Sequence, residues 1–319
     1  MPKETRILVH SPRYDTDLET FGIVKPFALD RGSLVLTALQ KDFGAEAQPK
    51  HPEPITLETA SLVHTERYLA SLQDPEVWRE IFELKEDEYF PDRALKPLNE
   101  LIDDITLKCG GTLLAAELAL THGLSANLGG GYHHAFPDQG RGYCVLNDIA
   151  IAVASLKKRR LCQRFLIVDL DFHQGDGTAL IFASDPDVFT LSVHSHEGWP
   201  DNKQKSSLDV PIRVSETHLY LAKLEAALTH CLERFTPELV VFVAGSDPYE
   251  LDVLPGSSFI KLTLSEMRQR DELVIDTFCH RGIPLAMVFA GGYGPDVWEV
   301  HYLATRHLLT RAIRIGHAP

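Results

Sequence analysis

The chain has 319 residues, of which 44% are hydrophobic and 24% are charged, a composition typical of a globular protein in water. Its formal net charge of −14 repels phosphate backbones, which argues against nucleic-acid binding as the main task. The same charge mildly favours cationic partners such as lysine-rich tails, although solubility is the simpler explanation.

The five cysteines are scattered, and no two of them form a CxxC pair. This pattern excludes a cysteine zinc knuckle and gives no sign of a disulfide framework. The first residues lack an apolar signal core, and no apolar run approaches the roughly 18 residues that a membrane-spanning helix needs. We therefore expect a cytoplasmic protein without a membrane span, of an oligomeric state that the sequence does not indicate.

Short apolar runs alternate with longer amphipathic stretches along the chain. Strands are predicted over residues 6–10, 125–128, 165–171, 188–193, 239–244 and 284–289. Helices are predicted over residues 30–42, 92–122, 147–159, 216–235, 264–281 and 295–315, the second of them weakened at Pro97 and at Gly110 and Gly111. This alternation predicts an α/β fold, with a mostly parallel central sheet and helices on both faces, in a single domain spanning residues 1–319.

Residues suited to catalysis follow four of the predicted strands. These segments are 129–134, 169–176, Asp247 and 291–294. Ligands of parallel α/β sheets bind at the carboxyl ends of the strands, so we expect the four segments to form one site.

A metal site is indicated by residues 167–177, which read IVDLDFHQGDG. Side chains alternate between the faces of a strand, so Asp169, Asp171 and His173 begin on one face. Two buried carboxylates and an imidazole are costly unless a cation satisfies them. An aspartate and a histidine from this segment, with Asp247 as the best third ligand, would leave the open position that a catalytic zinc needs. One such aspartate alone would be interpreted as a turn or cap residue.

The second motif is residues 129–134, which read GGGYHH. The glycines permit positive φ and a close approach of the backbone to a ligand. His133 and His134 suit proton transfer near neutral pH, and Asp169 and Asp176 are candidates to orient them. A histidine pair alone would more often lie in a surface loop, and the metal segment after the next helix favours catalysis.

Aromatic residues suggest a substrate channel. Tyr293, in the glycine-rich segment 290–294, could donate a hydrogen bond to a developing oxyanion, with a packed turn as the equal alternative. Gly142, Tyr143 and Trp199 could form walls for an extended acyl-amine, although packing in the hydrophobic core is a strong alternative for the two aromatic residues. Leu254 is a further candidate for substrate contact.

Taken together and in this order, these motifs resemble histone deacetylases, the class IV type most closely, over nearly the whole chain. The segments that carry the resemblance are 10–14 (HSPRY), 63–65 (VHT), 68–69 (YL), 110–112 (GGT), 129–134 (GGGYHH), 142–144 (GYC), 147–148 (ND), 169–177 (DLDFHQGDG), 270–273 (RDEL) and 291–293 (GGY). The match at 169–177 is the most specific of them. The resemblance implies a single-domain arginase/deacetylase fold.

The resemblance also implies a set of site residues and a zinc-dependent deacylase activity on lysine side chains or related amines. It assigns zinc binding to Asp171, His173 and Asp247. It assigns the role of general base and acid to His134, paired with Asp176, and an electrostatic role to His133, paired with Asp169. Tyr293 would polarise the substrate carbonyl. It places a structural potassium ion at the carbonyls of Asp169, Asp171 and His173, together with Ser192 and Val193. The sequence departs from the family at Leu251, where a glycine is usual, at Trp199, where a tyrosine is expected, and over residues 254–261.

Three alternatives compete with this hypothesis. A binuclear manganese hydrolase of the same fold would want an Asp-x-Asp pair, but Tyr249 stands two places after Asp247 and Gly175 two places after His173. A polyamine deacetylase would carry an acidic gate, whereas Leu254 is apolar. A non-catalytic acyl-lysine binder would have lost a ligand, a histidine or the tyrosine, and none is lost. Acyl length, from acetyl to fatty acyl, stays open.

Overall fold

The computed structural model describes residues 6–25, 27 and 29–316. Within these ranges, seven strands form one sheet in the order β1-β2-β7-β6-β3-β4-β5, and every neighbouring pair is parallel. The strands are β1 (Leu8–Val9), β2 (Leu124–Asn127), β3 (Phe165–Asp169), β4 (Val188–Ser195), β5 (Leu208–Ile212), β6 (Leu239–Val243) and β7 (Leu285–Val288). The predicted α/β fold with a parallel sheet is confirmed.

Helices connect the parallel strands, except that residues 196–207 join β4 to β5 without a helix. The α-helices of the described residues are α1 (Arg31–Phe43), α2 (Leu57–Ala60), α3 (Glu66–Ser71), α4 (Pro75–Ile81), α5 (Ile102–His122), α6 (Asp148–Lys158), α7 (Asp176–Ile181), α8 (Tyr220–Arg234), α9 (Leu264–Cys279) and α10 (Val297–Gly316). Short 3-10 turns lie at Pro12–Tyr14, Leu18–Phe21, Gly44–Ala47, Pro91–Arg93, Leu98–Leu101, Val214–Leu219 and Ser257–Phe259. No helix in these ranges combines the length and apolarity needed to cross a membrane.

The central strand β3 shows why helices cover both faces of the sheet. Its five side chains are all buried, so both faces of the strand must pack against apolar partners. Leu166 and Val168 pack on the side of α1, α8, α9 and α10, whereas Phe165 and Ile167 pack on the side of α5 and α6. A third apolar cluster surrounds the fully buried Trp78 of α4.

The region predicted as one helix over residues 92–122 is divided, and that prediction was wrong at its start. The chain forms two short 3-10 turns before α5 begins at Ile102, because proline lacks an N–H group and Pro97 disfavours helical backbone before it. Gly110 and Gly111 lie inside α5 without breaking it. A Cβ on Gly110 would collide with the backbone carbonyl of Glu53, so this glycine serves close packing.

Edge and short elements were missed or misplaced by the sequence patterns. Strand β5 was not predicted because it contains Asp209 and Pro211 and is mostly half-buried, which weakens its apolar signal. Helix α7 is only six residues long. The helix predicted over 216–235 begins as α8 at Tyr220, after the 3-10 turn Val214–Leu219.

Strand order brings the predicted catalytic segments to one edge. Strands β2, β7, β6 and β3 are consecutive in the sheet. The segments that follow them are 129–134, 290–294, 245–247 and 170–176. Because all four strands run in the same direction, their carboxyl ends and these segments lie side by side.

Candidate active site

Asp171, His173 and Asp247 come together as a buried group suited to a metal ion. One ligand atom from each lies within 4.8 Å of the others. His173 Nδ1 lies 2.9 Å from Asp247 Oδ2 and 3.1 Å from Asp171 Oδ1. The two carboxylates are 1% and 0% exposed, so their charge requires a cation nearby.

The titration of this group shows how strongly it attracts positive charge. Burial opposes charge on His173, but hydrogen bonds to Asp171 and Asp247 raise its pKa to about 10. Burial and then the charge of Asp171 raise the pKa of Asp247 to about 7. His133 and His173 outweigh burial and hold the pKa of Asp171 well below its usual range. A metal cation would compete with protons for these three side chains and would supply the positive charge that they favour.

Glycines make room for the two carboxylates. A Cβ on Gly291 would lie 2.5 Å from Asp171 Oδ2 and 2.6 Å from Asp247 Oδ2. The backbone N–H of Gly291 donates to Asp171 Oδ2 at 2.8 Å, and that of Phe172 donates to Asp247 Oδ1 at 2.9 Å. These bonds fix each carboxylate while leaving its other oxygen toward the centre of the group.

His133 and His134 lie beside this group, and each contacts its own carboxylate. His133 Nδ1 lies 2.8 Å from Asp169 Oδ2, and His134 Nδ1 lies 2.7 Å from Asp176 Oδ1. His133 Nε2 is 3.8 Å from Asp171 Oδ1. A carboxylate at Nδ1 fixes the tautomer of a neutral ring and leaves Nε2 free to accept a proton.

The surroundings separate the two histidines electrostatically. Burial disfavours charge on His133, but the carboxylates of Asp169 and Asp171 outweigh it and raise its pKa to about 9. Burial and then the charge of His133 lower the pKa of His134 to about 3. The surroundings therefore favour the charged form of His133 and the neutral form of His134.

The glycine loop that carries the histidines is anchored to helix α6. Asp148, in the first turn of α6, accepts hydrogen bonds from the backbone N–H groups of Gly131 at 2.9 Å and Tyr132 at 2.7 Å. Gly130 and Gly131 have φ of 73° and 85°, values that favour glycine. Asp148 lies 17 and 16 residues from these N–H groups in the sequence, so no local pattern predicted this contact.

Tyr293 is placed by two residues that the sequence analysis missed. The Arg31 guanidinium donates to the carbonyls of Ala290, Gly291 and Gly292. Asp252 Oδ2 accepts from the backbone N–H of Tyr293 at 2.7 Å. Both contacts join residues far apart in the chain, so no local pattern signals them.

The Tyr293 phenol stays protonated in this position. Burial, followed by the charges of Asp247 and Asp171, raises its pKa well above the usual range. A protonated phenol beside Asp171, His173 and Asp247 can donate a hydrogen bond to a developing oxyanion, as the sequence predicts for Tyr293.

A cavity of about 150 Å³ lies over the group, and aromatic side chains form part of its wall. Phe27, Tyr143 and Tyr293 meet there, with ring centroids 5.0 to 6.2 Å apart. Gly142 also lines this cavity, whereas Leu254 is not among the lining residues that the structure describes. Leu254 instead lies in a turn in which its N–H donates to Asp252.

The cavity continues away from the histidines toward helix α5. Leu18, Leu101 and Ile105 line it together with Lys108. The Lys108 ammonium lies 3.3 Å from the Thr16 hydroxyl, and burial lowers its pKa to about 8. Thr16 and Asp104 line the same part, so the far part of the cavity combines apolar side chains with a basic and an acidic group.

Trp199 and the residues considered for potassium also lie near the group. The Trp199 ring is 4.6 Å from that of His134, in an edge-to-face arrangement. Trp199 was predicted as a channel wall, but it is not among the described residues that line the cavity. Asp169 and Ser192 are register partners on β3 and β4, and Val193 follows Ser192. The structure thus brings these expected residues to the same end of the sheet.

Comparison with known proteins identifies the family. The sequence pattern of the histone deacetylase domain matches residues 25–309. This chain belongs to the histone deacetylase family. Membership supports a hydrolytic deacetylase activity on acetylated amines, and the family generally has a metal ion in its site.

Individual relatives agree with this assignment. A Picosynechococcus protein with no described function is 45% identical over 207 residues, covering 64% of this chain and 67% of the relative. Histone deacetylase 2 of Arabidopsis thaliana is 31% identical over 292 residues, which cover 90% of this chain and 74% of that relative. The acetylpolyamine aminohydrolase of Burkholderia pseudomallei has the same fold, with a TM-score of 0.71, 20% identity and coverage of 95% of this chain and 98% of that chain.

Proposed function

We propose that this protein is a zinc-dependent amide hydrolase that removes acetyl or longer acyl groups from lysine side chains or related amines. The observation that carries the proposal is the buried Asp171–His173–Asp247 group beside two histidines with separate carboxylate partners. Family membership supports a deacetylase activity, and the site geometry supports its dependence on zinc and the roles of the individual residues.

The residues present fit a catalytic zinc ion. Two carboxylate oxygens and one imidazole nitrogen are zinc ligands, and three protein ligands leave a position open for water or substrate. Asp171, His173 and Asp247 would hold the ion. When bound, zinc supplies Lewis-acid polarisation of the amide carbonyl and lowers the pKa of a water molecule.

The remaining roles belong to side chains of this chain. His134, neutral at pH 7, takes a proton from the attacking water at Nε2 and later returns it to the leaving amine. Its hydrogen bond with Asp176 holds the ring in the required tautomer. His133 supplies positive charge close to the reacting atoms, and Tyr293 donates a hydrogen bond to the oxygen of the amide carbonyl.

We also propose that Asp169, Ser192 and Val193 contribute oxygen ligands to a structural potassium ion, with the carbonyls of Asp171 and His173. Hydroxyl and main-chain carbonyl oxygens can replace the hydration shell of this ion. The register pairing of Asp169 with Ser192 supports the proposal because it places their oxygens at the same end of the sheet.

The test is a series of substrates that share one lysine peptide and differ in acyl length, from acetyl to myristoyl, with acetylspermidine in parallel. Zinc-loaded protein is incubated with each, and product is followed by mass spectrometry with and without a hydroxamate. We expect hydroxamate-sensitive cleavage of acyl-lysine, and Tyr293→Phe is the matched inactive control. Cleavage of acetylspermidine alone would move the assignment to polyamines, and binding without cleavage of any substrate would contradict an enzyme.

A further inference from the structure

A tight turn over residues 141–144 lies between the cavity and the carboxylate of Asp176. The N–H of Arg141 donates to the Cys144 carbonyl at 3.0 Å, and the Cys144 N–H donates back to the Arg141 carbonyl at 2.9 Å. Gly142 and Tyr143, between them, have φ of 53° and 65°. The left-handed conformation is unfavourable for a residue such as tyrosine, so the surroundings of the turn must stabilise it.

The first residue of this turn, Arg141, extends its guanidinium over the site. Its Nη1 lies 3.3 Å from Asp176 Oδ2. The guanidinium carbon lies 4.6 Å from the centre of the Trp199 ring and 5.4 Å from that of Phe136. The mechanism proposed above assigns no role to this arginine.

The two carboxylate oxygens of Asp176 have different partners. Oδ1 faces His134 Nδ1 and also accepts from the Gly177 N–H at 3.0 Å. Oδ2 accepts no hydrogen bond from any residue in the described ranges, although Asp176 is 0% exposed. A buried carboxylate oxygen without a partner is costly, and the Arg141 cation is the charge that compensates it.

Trp199 provides a second route from Arg141 to the same histidine. One face of the indole receives the guanidinium, and the ring lies edge-to-face with His134 at 4.6 Å. Gly142 is fitted between them, since a Cβ there would lie 2.9 Å from both His134 Cδ2 and Trp199 Cη2. A cation over an indole face is attracted by the electrons of the ring, so Arg141 stabilises the position of Trp199.

We propose that Arg141 is a positioning residue that fixes Asp176 and Trp199 and, through them, the orientation of the His134 ring. The proposal rests on the proposed function for the catalytic importance of that ring. Lys203 also lies on this side of the site, but its ammonium donates to the carbonyls of Gly198 at 2.7 Å and Pro200 at 3.0 Å. Arg141 is therefore the cation that pairs directly with Asp176.

The test compares three variants in the zinc-loaded full-length protein. Arg141→Gln removes the charge, Arg141→Lys restores a cation without the planar stacking group, and Arg159→Gln removes a surface arginine that pairs with Glu117. Substitution of a residue that holds a catalytic side chain in place typically lowers activity by about 10- to 100-fold. We expect kcat of Arg141→Gln to fall in that range with KM within about twofold, Arg141→Lys to recover part of kcat, and Arg159→Gln to match the parent.

A second readout does not depend on turnover. The Nδ1 proton that His134 shares with Asp176 gives a downfield proton NMR signal, which is assigned by its loss in His134→Gln. We expect this signal to shift or broaden in Arg141→Gln, to return toward the parent position in Arg141→Lys and to stay unchanged in Arg159→Gln.

Parent-like kcat and an unshifted signal in Arg141→Gln would overturn the proposal. So would a folded Arg141→Lys protein with the same kcat and signal as Arg141→Gln. If the glutamine variant fails to fold, Arg141→Met, which also removes the charge, takes its place in this comparison. If the parent cleaves no substrate, the proposed function fails while the NMR signal still decides whether Arg141 positions His134.

Discussion

The rings of His133 and His134 lie with their centroids only 3.9 Å apart, yet their Nδ1 atoms face different carboxylates. Two imidazoles at this separation cannot both carry charge without strong repulsion. Asp169 and Asp171 outweigh burial and stabilise the charge on His133. Burial, followed by the charge of His133, lowers the pKa of His134 to about 3. The two neighbouring rings therefore differ in their affinity for a proton, which supports the different roles proposed for them.

His134→Gln is expected to lower kcat by about 100-fold or more, because general base and acid catalysis typically contributes that much. Steady-state kinetics on an acyl-lysine peptide measures the change, and metal analysis should still find zinc bound. A His134→Gln enzyme with parent-like kcat would contradict its role as the base.

Asp171→Ala and His173→Ala are expected to lose zinc and activity together, since each removes one of three ligands from a buried group. Zinc per chain is measured after dialysis by atomic emission, alongside activity. Asp176→Asn is the matched control, because it alters a buried carboxylate that is not a ligand and should retain zinc. Ligand variants that retain one zinc per chain would refute the assigned metal site.

Tyr293→Phe should retain zinc and bind substrate but lose turnover, because it removes one hydrogen-bond donor that acts in the transition state. The expected fall in kcat is about 100-fold, with KM little changed. Tyr143→Phe is the matched control, as it removes a phenol from the wall of the same cavity. Similar losses in both variants would argue against a special role for Tyr293.

Acid should destabilise the protein in part through His64. This buried ring accepts from the Asn147 N–H at Nε2 and lies 2.9 Å from the Phe136 carbonyl at Nδ1, and burial lowers its pKa from 6.5 to about 4. Below pH 6.5 the His64 ring is protonated in the unfolded chain, whereas in the folded protein it stays neutral until about pH 4. The contribution to stability is therefore complete above pH 6.5 and falls by up to about 3 kcal/mol as pH drops to 4.

Urea unfolding at pH 7.5 and pH 5 measures this effect in the parent and in His64→Gln. The variant is expected to be less stable at pH 7.5 but to lose less stability on acidification. His10 and His194, whose pKa values burial also lowers to about 4, contribute equally to both proteins. Equal losses in the parent and the variant would show that His64 does not titrate in this range.

Much of the fold follows from local patterns. The apolar run at β3 and the amphipathic helices predict a parallel sheet, because an apolar strand needs cover on both faces. Helix α6 was predicted within one residue of its bounds, since Asn147 caps it by accepting from the Ala150 N–H at 2.9 Å. The start of α5 was not, because Pro97 disfavours helical backbone before it. Strand β5 was not, because Asp209 and Pro211 weaken its apolar signal.

The sequence by itself determined which chemistry this protein carries. The residues 169–177 and 129–134 place aspartates and histidines after apolar strands, where their burial implies a cation and proton transfer. Tertiary structure alone decided which partner each of them has. Asp252 meets Tyr293, Arg31 meets the carbonyls of 290–292, and Arg141 meets Asp176, because strand order and loop packing join segments that no local spacing relates.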